Sequence, residues 1–439
     1  MVKDKKYLEK IASFCLDHAI KNGVTDCEIS VSNTISESVT VRNKKIESSD
    51  QSNNLSIGIT TYIGNKKSNV SSSNLSEKEI STLVERCVEM TKVTPEDPYV
   101  CMPKKEGLAK KELDLHLFDD ESVTTENKIN FLKEMENEAF KNDKIINSNG
   151  SSFSVTKSNF ILANTLGFCK GYKTSNFGAA CAVVAQDQNV METDYDFSQK
   201  RFYNDLKNAK KIGFSAAERA TNRLGAKKIA STKLPIIFDK RVSKNLLSSF
   251  ASAVSGSSFS RGTSFLKEKL KKEIFSKKIN IYDNPLIKKG LGSQFFDSEG
   301  VESNKVQIIK EGVLEQIFLD TYHARILKMK TNGRCGGSTN LYFENGEISV
   351  EKIINDQKKA IYITDLIGRG SDTITGDYSI GASGIMIERG ELTTPVNEIT
   401  IAGNLIDMFK NLTLANDMEL IYSVNAPSIL VENMTIAGK

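Results

Sequence analysis

A chain of 439 residues, 39% hydrophobic and 26% charged, holds enough apolar material for two or three units with real cores, which excludes disorder as its overall state. A formal net charge of +4 is too small to imply nucleic acid by itself. The charged opening MVKDKKYLEK and the lack of any apolar run near the ~18 residues of a bilayer span argue against a secretion signal and a membrane helix, so the cytoplasm is the expected compartment.

The first hundred residues read as helix, strands, helix. Leu8, Ile11, Phe14, Cys15 and His18 share one helical face, which makes His18 a hydrogen-bonded histidine at a core edge. Cys27, Ile29 and Val31 alternate with polar residues, as do Val39 and Val41, and then Leu55 through Ile63. Asn43-Lys44 and Gly64-Asn65 supply the hairpin turns between these runs. A second helix is expected from Ser76, with Glu79 completing a capping box and Ile80, Leu83, Val84 and Cys87 buried.

Residues 94–107, TPEDPYVCMPKKEG, carry three of the seven prolines and read as a linker. The same order of elements then recurs. A helix carries Leu132, Met135 and Ala139, strands lie around 153–155, 160–164 and 177–184, and an Ala-rich helix runs from Leu206 to Leu224. SESVTVRN at 36–43 resembles SFSVTKSN at 152–159, and the shared order suggests two related halves. The expected fold is α+β: segments 1–105 and 112–226 forming one N-terminal lobe, then a β-rich, barrel-like domain over 230–439 with helices inserted near 319–330 and 402–415.

In that last region, LLSSFASAVSG at 246–256 keeps Leu247, Phe250 and Val254 at helical spacing, with little but Ser and Ala between them. Residues 261–290 carry nine Lys/Arg against three Asp/Glu, without a recognisable DNA or RNA motif, and read as a solvated face or a partner contact. The glycine-rich stretch 368–391 lacks the spacing of a phosphate loop. It reads either as hairpin turns or as backbone presented to an extended peptide. The seven cysteines are scattered and read as buried, reduced thiols, although Cys335 beside Arg334 is a candidate activated thiolate with His323 upstream. Three histidines far apart leave little for metal or nucleophilic hydrolysis within one chain.

The stretches TITGDYSIGASGIMIERGELTTPVNEITIAGNLIDMFKNL, NAPSILVENMTIAG and SVTVRNKKIESSDQSNNLSIGITTYIGNKK, with EDPY, resemble the TldD/PmbA family and within it the PmbA branch, also called TldE. The resemblance runs in order over nearly the whole chain. It implies a cytoplasmic zinc peptidase in which a TldD-type subunit pairs with a TldE-type one. The TldD type carries a His-Glu-x-x-x-His helix and a further Cys ligand near the C-terminus. Alignment on RGTSF, 261–265, sets the helix motif's position at 247–252, where this chain has LSSFAS, and the cysteine's position near IYSVN, 421–425.

A catalytic zinc needs about three protein ligands and one open position. The resemblance therefore implies no metal or catalytic residue in this chain, zinc in a TldD-like partner, and a role in completing a cavity for unfolded peptides. The alternative is a self-associating peptide-binding or modulator protein that forms homodimers. Arg261, Asp377, Tyr378 and Ser379 are the candidate cavity residues. Ser248, Ser249 and Ser252 are the candidate interface, because small side chains let another backbone approach.

Overall fold

The computed structural model describes residues 2–368 and 370–438. Helix α1 (Lys5–Lys21) begins where Asp4 accepts the Tyr7 N–H at 2.7 Å, and it buries Leu8, Ile11, Ala12, Cys15 and Ala19. Strand β1 (Asp26–Arg42) turns through Asn43 and Lys44, at φ 50° and 65°, into β2 (Lys45–Ile63). Two successive positive φ angles make this the primed turn whose twist suits a hairpin. β3 (Lys66–Ser72) and α2 (Glu77–Val93) complete the first half. Ser76 sits at the α2 N-cap, but its side chain makes no capping bond, so the expected capping box is absent.

The second half repeats this order as α3 (Thr125–Ala139), β4 (Ile145–Asn164), β5 (Cys169–Asp187), β6 (Val190–Lys200) and α4 (Ala209–Asn222). All six strands form one antiparallel sheet in the order β3-β2-β1-β4-β5-β6. The two similar octapeptides lie on β1 and β4, the central pair. Ser38 and Ser154, the third residue of each, face each other directly. A pseudo-twofold axis therefore passes between them, and each half packs its helices over its own apolar cluster on the sheet.

The strands are longer than the sequence pattern suggested. The polar middles, such as 45–54, are exposed on both faces, so they show no alternation while the hydrogen-bond ladder continues through them.

Beyond residue 230, β7 (Thr232–Phe238) leads into α5 (Lys240–Ala253) and α6 (Gly256–Ser260). A small sheet gathers β8 (Ile281–Asp283), β9 (Val306–Lys310), β10 (Val313–Leu314), β11 (Leu341–Phe343) and, from near the chain end, a strand at Val424–Asn425. In chain order, helix α7 (Thr321–Ile326) falls between β10 and β11, and α8 (Val350–Asn355) follows β11 and precedes the next sheet. That sheet has β12 (Lys359–Ile367), β13 (Asp377–Glu388), β14 (Glu391–Asn404) and, after α9 (Leu405–Lys410), β15 (Leu412–Leu414). The Val424–Asn425 strand is β16, and β17 (Ile429–Ala437) ends the fold.

β17 pairs with both β7 and β14, so β14-β13-β12-β7-β17 closes into a five-stranded barrel, as the barrel-like expectation required. The inserted helices are shorter than expected: Leu405, Met408 and Phe409 are buried on α9, but Leu412 belongs to a strand. The barrel core continues under α5, where Phe250, Phe275 and Phe409 have ring centroids 4.6–5.9 Å apart.

The proline-rich 94–107 segment is not a free tether. Asp97 accepts the Tyr322 hydroxyl at 2.7 Å, and Arg325 donates to the Pro98 carbonyl at 2.9 Å, tying the segment to α7. Leu108, Leu115 and Leu117 then pack with Phe160, Tyr172, Phe295 and Phe296 at the seam between the lobe and the barrel domain.

Candidate functional site

Helix α5 begins at Asp239, whose carboxylate accepts the Arg241 N–H at 2.7 Å, directly after the buried strand β7. Leu246, Leu247, Phe250 and Ala253 enter the barrel core. The stripe Asn245, Ser248, Ser249, Ser252 faces the other way, at the i, i+3, i+4, i+7 spacing of one helical face. Ser249 is buried, and its hydroxyl contacts the Asn245 carbonyl at 3.0 Å and the Ser371 hydroxyl at 2.9 Å. Tyr378 is buried as well and donates to Asn245 Oδ1 at 3.1 Å, while burial pushes its phenol up. These contacts fasten α5 to the start of β13.

The other candidates do not join that group. Ser248 and Ser252 are exposed, and the Ser252 hydroxyl donates to the Ser248 carbonyl at 3.1 Å. Arg261 is exposed at the end of α6. Asp377 is exposed and accepts from Thr375 Oγ1 at 2.9 Å and Asn404 Nδ2 at 3.2 Å. Ser379 is exposed on the same side of β13 as Asp377, opposite Tyr378. The proposal that 368–391 presents backbone to a peptide does not fit β13, which is bonded on one side to β12 and on the other to β14. Gly368, Gly376 and Gly390, at φ 95°, 82° and 82°, are instead turn residues.

The fold brings α5 against the 421–425 segment. Lys244 holds its ammonium 3.1 Å from the centroid of the Tyr422 ring, and Ser243 Oγ reaches the Ala426 carbonyl at 3.4 Å. Burial, with Arg241 nearby, lowers the Lys244 pKa to about 8. Asn425 Oδ1 accepts the N–H groups of Ile421 and Tyr422, both at 2.8 Å, fixing the loop. Sequence reasoning missed Lys244 and Tyr422 because 178 residues separate them; only the adjacency of α5 and β16 pairs them.

Arg241, one turn before Lys244, reaches across to the N-terminal lobe, donating to Asp194 Oδ1 at 3.0 Å and lying over the Tyr195 ring. Around it, Arg219 binds Asp196 at 2.7 Å, and Arg223 binds Asp365 at 3.0 Å and Glu192 at 3.3 Å. Burial by itself would lower the Arg241 pKa; Asp194 and Tyr195 together outweigh it and leave the guanidinium above its ordinary value.

The activated-thiolate reading of Cys335 is corrected. Arg334 is fully buried and turned away, its Nε 2.5 Å from Asp283 Oδ2. Burial, then Glu299 and Asp297, push the Cys335 thiol far up, and His323 is held by Asp320 at 2.7 Å. The uniform reading of buried thiols also needs correction: Cys15, Cys27, Cys87 and Cys181 are buried, Cys101 and Cys335 half-buried, and Cys169 exposed. Beside Cys335, burial and then Glu299 raise Glu28 to about 7; burial chiefly, with Glu299 adding to it, raises Asp297 to about 7.

Among the described residues, no three His, Cys, Asp or Glu side chains are placed to hold a metal ion. At the positions that the resemblance gives to zinc ligands, Leu247 lies in the core, Ser248 and Ser252 are neutral hydroxyls, and 421–425 has no thiol. These residues do not fit zinc.

Three family profiles match in order: PmbA/TldA metallopeptidase domain 1 over 27–91, the central domain over 118–224, and the C-terminal domain over 231–438. The chain is 35% identical to metalloprotease PmbA of Escherichia coli O157:H7, over 99% of its own length and 97% of that protein's. It is 34% identical to a PmbA homologue of Buchnera aphidicola, over 95% and 94%. A crystal structure of a Bacteroides thetaiotaomicron protein described as a candidate modulator of DNA gyrase superposes with TM-score 0.93 at 28% identity, covering both chains fully. TldE from Thermococcus kodakarensis shares the fold, with TM-score 0.85 at 20% identity over 98% and 100% of the two chains. The chain belongs to the PmbA/TldD metallopeptidase family.

Proposed function

We propose that this chain is a non-catalytic, TldE-like subunit of a cytoplasmic zinc peptidase, and that a TldD-like paralogue supplies the metal and the chemistry on unfolded peptides. One observation carries the reading: α5 and the 421–425 segment adjoin each other, yet their side chains are Leu247, Ser248, Ser252, Lys244 and Tyr422 rather than a ligand set. A lysine lowered to about 8 and seated on an aromatic ring puts positive charge beside this helix, which opposes a cation there. Ser248 and Ser252, exposed one helical turn apart, offer the partner a flat, small surface.

The test combines the purified chain with a homologue carrying the His-Glu-x-x-x-His helix, zinc and an unfolded peptide. Cleavage is expected only with the homologue present, and to rise when this chain is added. Zinc-dependent cleavage by this chain alone, abolished by a chelator, sinks the proposal.

A second reading, a self-associating peptide-binding or modulator protein, is favoured by the edge of β2. Among the described residues, 45–54 pair only with β1, on one side, and they are largely exposed on both faces. A stable homodimer that leaves the homologue's activity unchanged would establish it instead.

A further inference from the structure

Between the end of β6, the 287–291 turn and the 420–422 segment lies a cavity of about 320 Å³. Four cationic side chains line it, Lys200, Arg201, Lys288 and Lys289, against one carboxylate, Asp205. Lys289 already takes that carboxylate at 2.7 Å. Among the described residues, Lys200, Arg201 and Lys288 have no ion-pair partner within 4.0 Å. Arg201 is the telling member. Its Nε donates to the Gly290 carbonyl at 3.3 Å, Nη1 to Ser175 at 3.1 Å and Nη2 to Leu291 at 2.5 Å. These three carbonyls hold the guanidinium rigid, but they leave its charge without a counter-ion, and burial lowers its pKa. A guanidinium has five N–H groups, so donors remain for a ligand.

Ile287, Leu291 and Tyr422 give the wall apolar patches beside the cations, and Gln199 and Asn340 are its neutral polar members. We infer that this cavity binds the terminal carboxylate of an extended peptide, with the last side chain against Ile287, Leu291 and Tyr422. The inference rests on the peptide-handling role proposed above. The volume lies at the small end of the ~300–1,000 Å³ range of ligand sites, which suits a terminal residue. An internal Asp or Glu would have to bring two continuing chains into the same space. Ile287, Leu291 and Tyr422 beside the cations suit a carboxylate carried on an apolar residue better than a strongly hydrated phosphate, which has nothing to place against them. Tyr422 is shared: one wall of the cavity is the ring that seats Lys244, so a bound chain end lies beside α5.

The experiment measures binding of a hexapeptide ending in leucine to the intact chain, as the free acid and as the C-terminal amide, by calorimetry. The acid is expected to bind about 10-fold or more tightly than the amide, a preference weakened by salt. The double variant K200Q/K288Q, altering only side chains without internal partners, is expected to cut that preference to about 2-fold at an unchanged melting temperature. Arg201→Gln is expected to remove it, and the double variant keeps the test valid if loss of the carbonyl bonds unfolds Arg201→Gln.

Equal binding of acid and amide overturns the cavity assignment and leaves the subunit role standing, since that role falls only in the cleavage assay. An acid preference unchanged in K200Q/K288Q overturns it too. Tighter binding of inorganic phosphate than of the free acid overturns the chain-end ligand.

Discussion

The N-terminal lobe meets the barrel domain at two polar seams of opposite design. At one, Asp194, Asp196, Glu192 and Asp365 are interleaved with Arg219, Arg223 and Arg241, and each carboxylate has a guanidinium within 2.7–3.3 Å. At the other, Glu28 of β1 meets Asp297 and Glu299 of the barrel domain, and Lys67, which acts on Glu28 and Glu299, does not offset their burial. Burial imposes a desolvation cost on both. Pairing offsets it at the first seam, whereas at the second the carboxyls rise towards neutrality. The first seam is therefore held by ion pairs, and the second is sensitive to pH.

The largest effect is expected just behind the second seam, where Arg334 and Asp283 are a fully buried pair. Arg334→Met keeps the volume but strands Asp283 as a charge, with only Thr339 N and Oγ1, both at 2.8 Å, still donating. A loss of about 3–5 kcal/mol in urea unfolding is expected. A loss below about 1 kcal/mol would mean that desolvation dominates there too. Next in size, Asp194→Asn at the paired seam should cost roughly 1–3 kcal/mol, because Arg241 and Arg223 lose their shared acceptor. A double-mutant cycle with Arg241→Gln should return a coupling of about 1 kcal/mol or more, and additivity would show that the pair contributes nothing specific.

How much of this was legible in the sequence follows the range of the interactions. The α1 stripe Leu8, Ile11, Cys15 and the turn at Asn43-Lys44 are local, and both are where periodicity and turn chemistry put them. The octapeptide similarity, slight as a sequence signal, marks the pseudo-twofold at Ser38 and Ser154 because paired central strands must satisfy the same environment. Strand length was not legible, since a solvated two-sided ladder such as 45–54 has no hydrophobic period. Of the candidate site residues, Tyr378 and Ser249 do meet, through Asn245 and Ser371, but as a structural clasp; Asp377 and Ser379 fall on the far face because a strand alternates. Lys244 on Tyr422, Arg201 in its cavity and Glu28 against Glu299 all join distant segments, and no spacing rule reaches them.

The pH-sensitive seam gives a prediction of opposite sign to the first two. Raised folded-state pKa values mean that the native chain holds protons which the unfolded chain releases between about pH 4.5 and 7. Stability from this cluster is therefore greatest below the unfolded value and is lost as pH rises towards 7. Glu28→Gln removes an acid that is disfavoured as a charge, so it should stabilise the chain by roughly 1–2 kcal/mol at pH 8 and leave it unchanged at pH 4.5. Equal stabilisation at both pH values would trace the gain to packing.

The smallest effect concerns reactivity alone, and it separates two readings of one thiol. If Arg334 activated Cys335, alkylation by iodoacetamide at pH 8 would outpace that of an unfolded chain. In the structure Arg334 is committed to Asp283, and burial with Glu299 and Asp297 disfavours the thiolate. Cys335 should therefore react at least about 10-fold more slowly than in the denatured protein, as read by peptide mass mapping. Glu299→Gln should recover about 2-fold or more of that rate, because one of the repelling charges is gone while burial remains. A rate unmoved by this change would assign the whole suppression to burial, and the second seam would then act on the carboxyls alone.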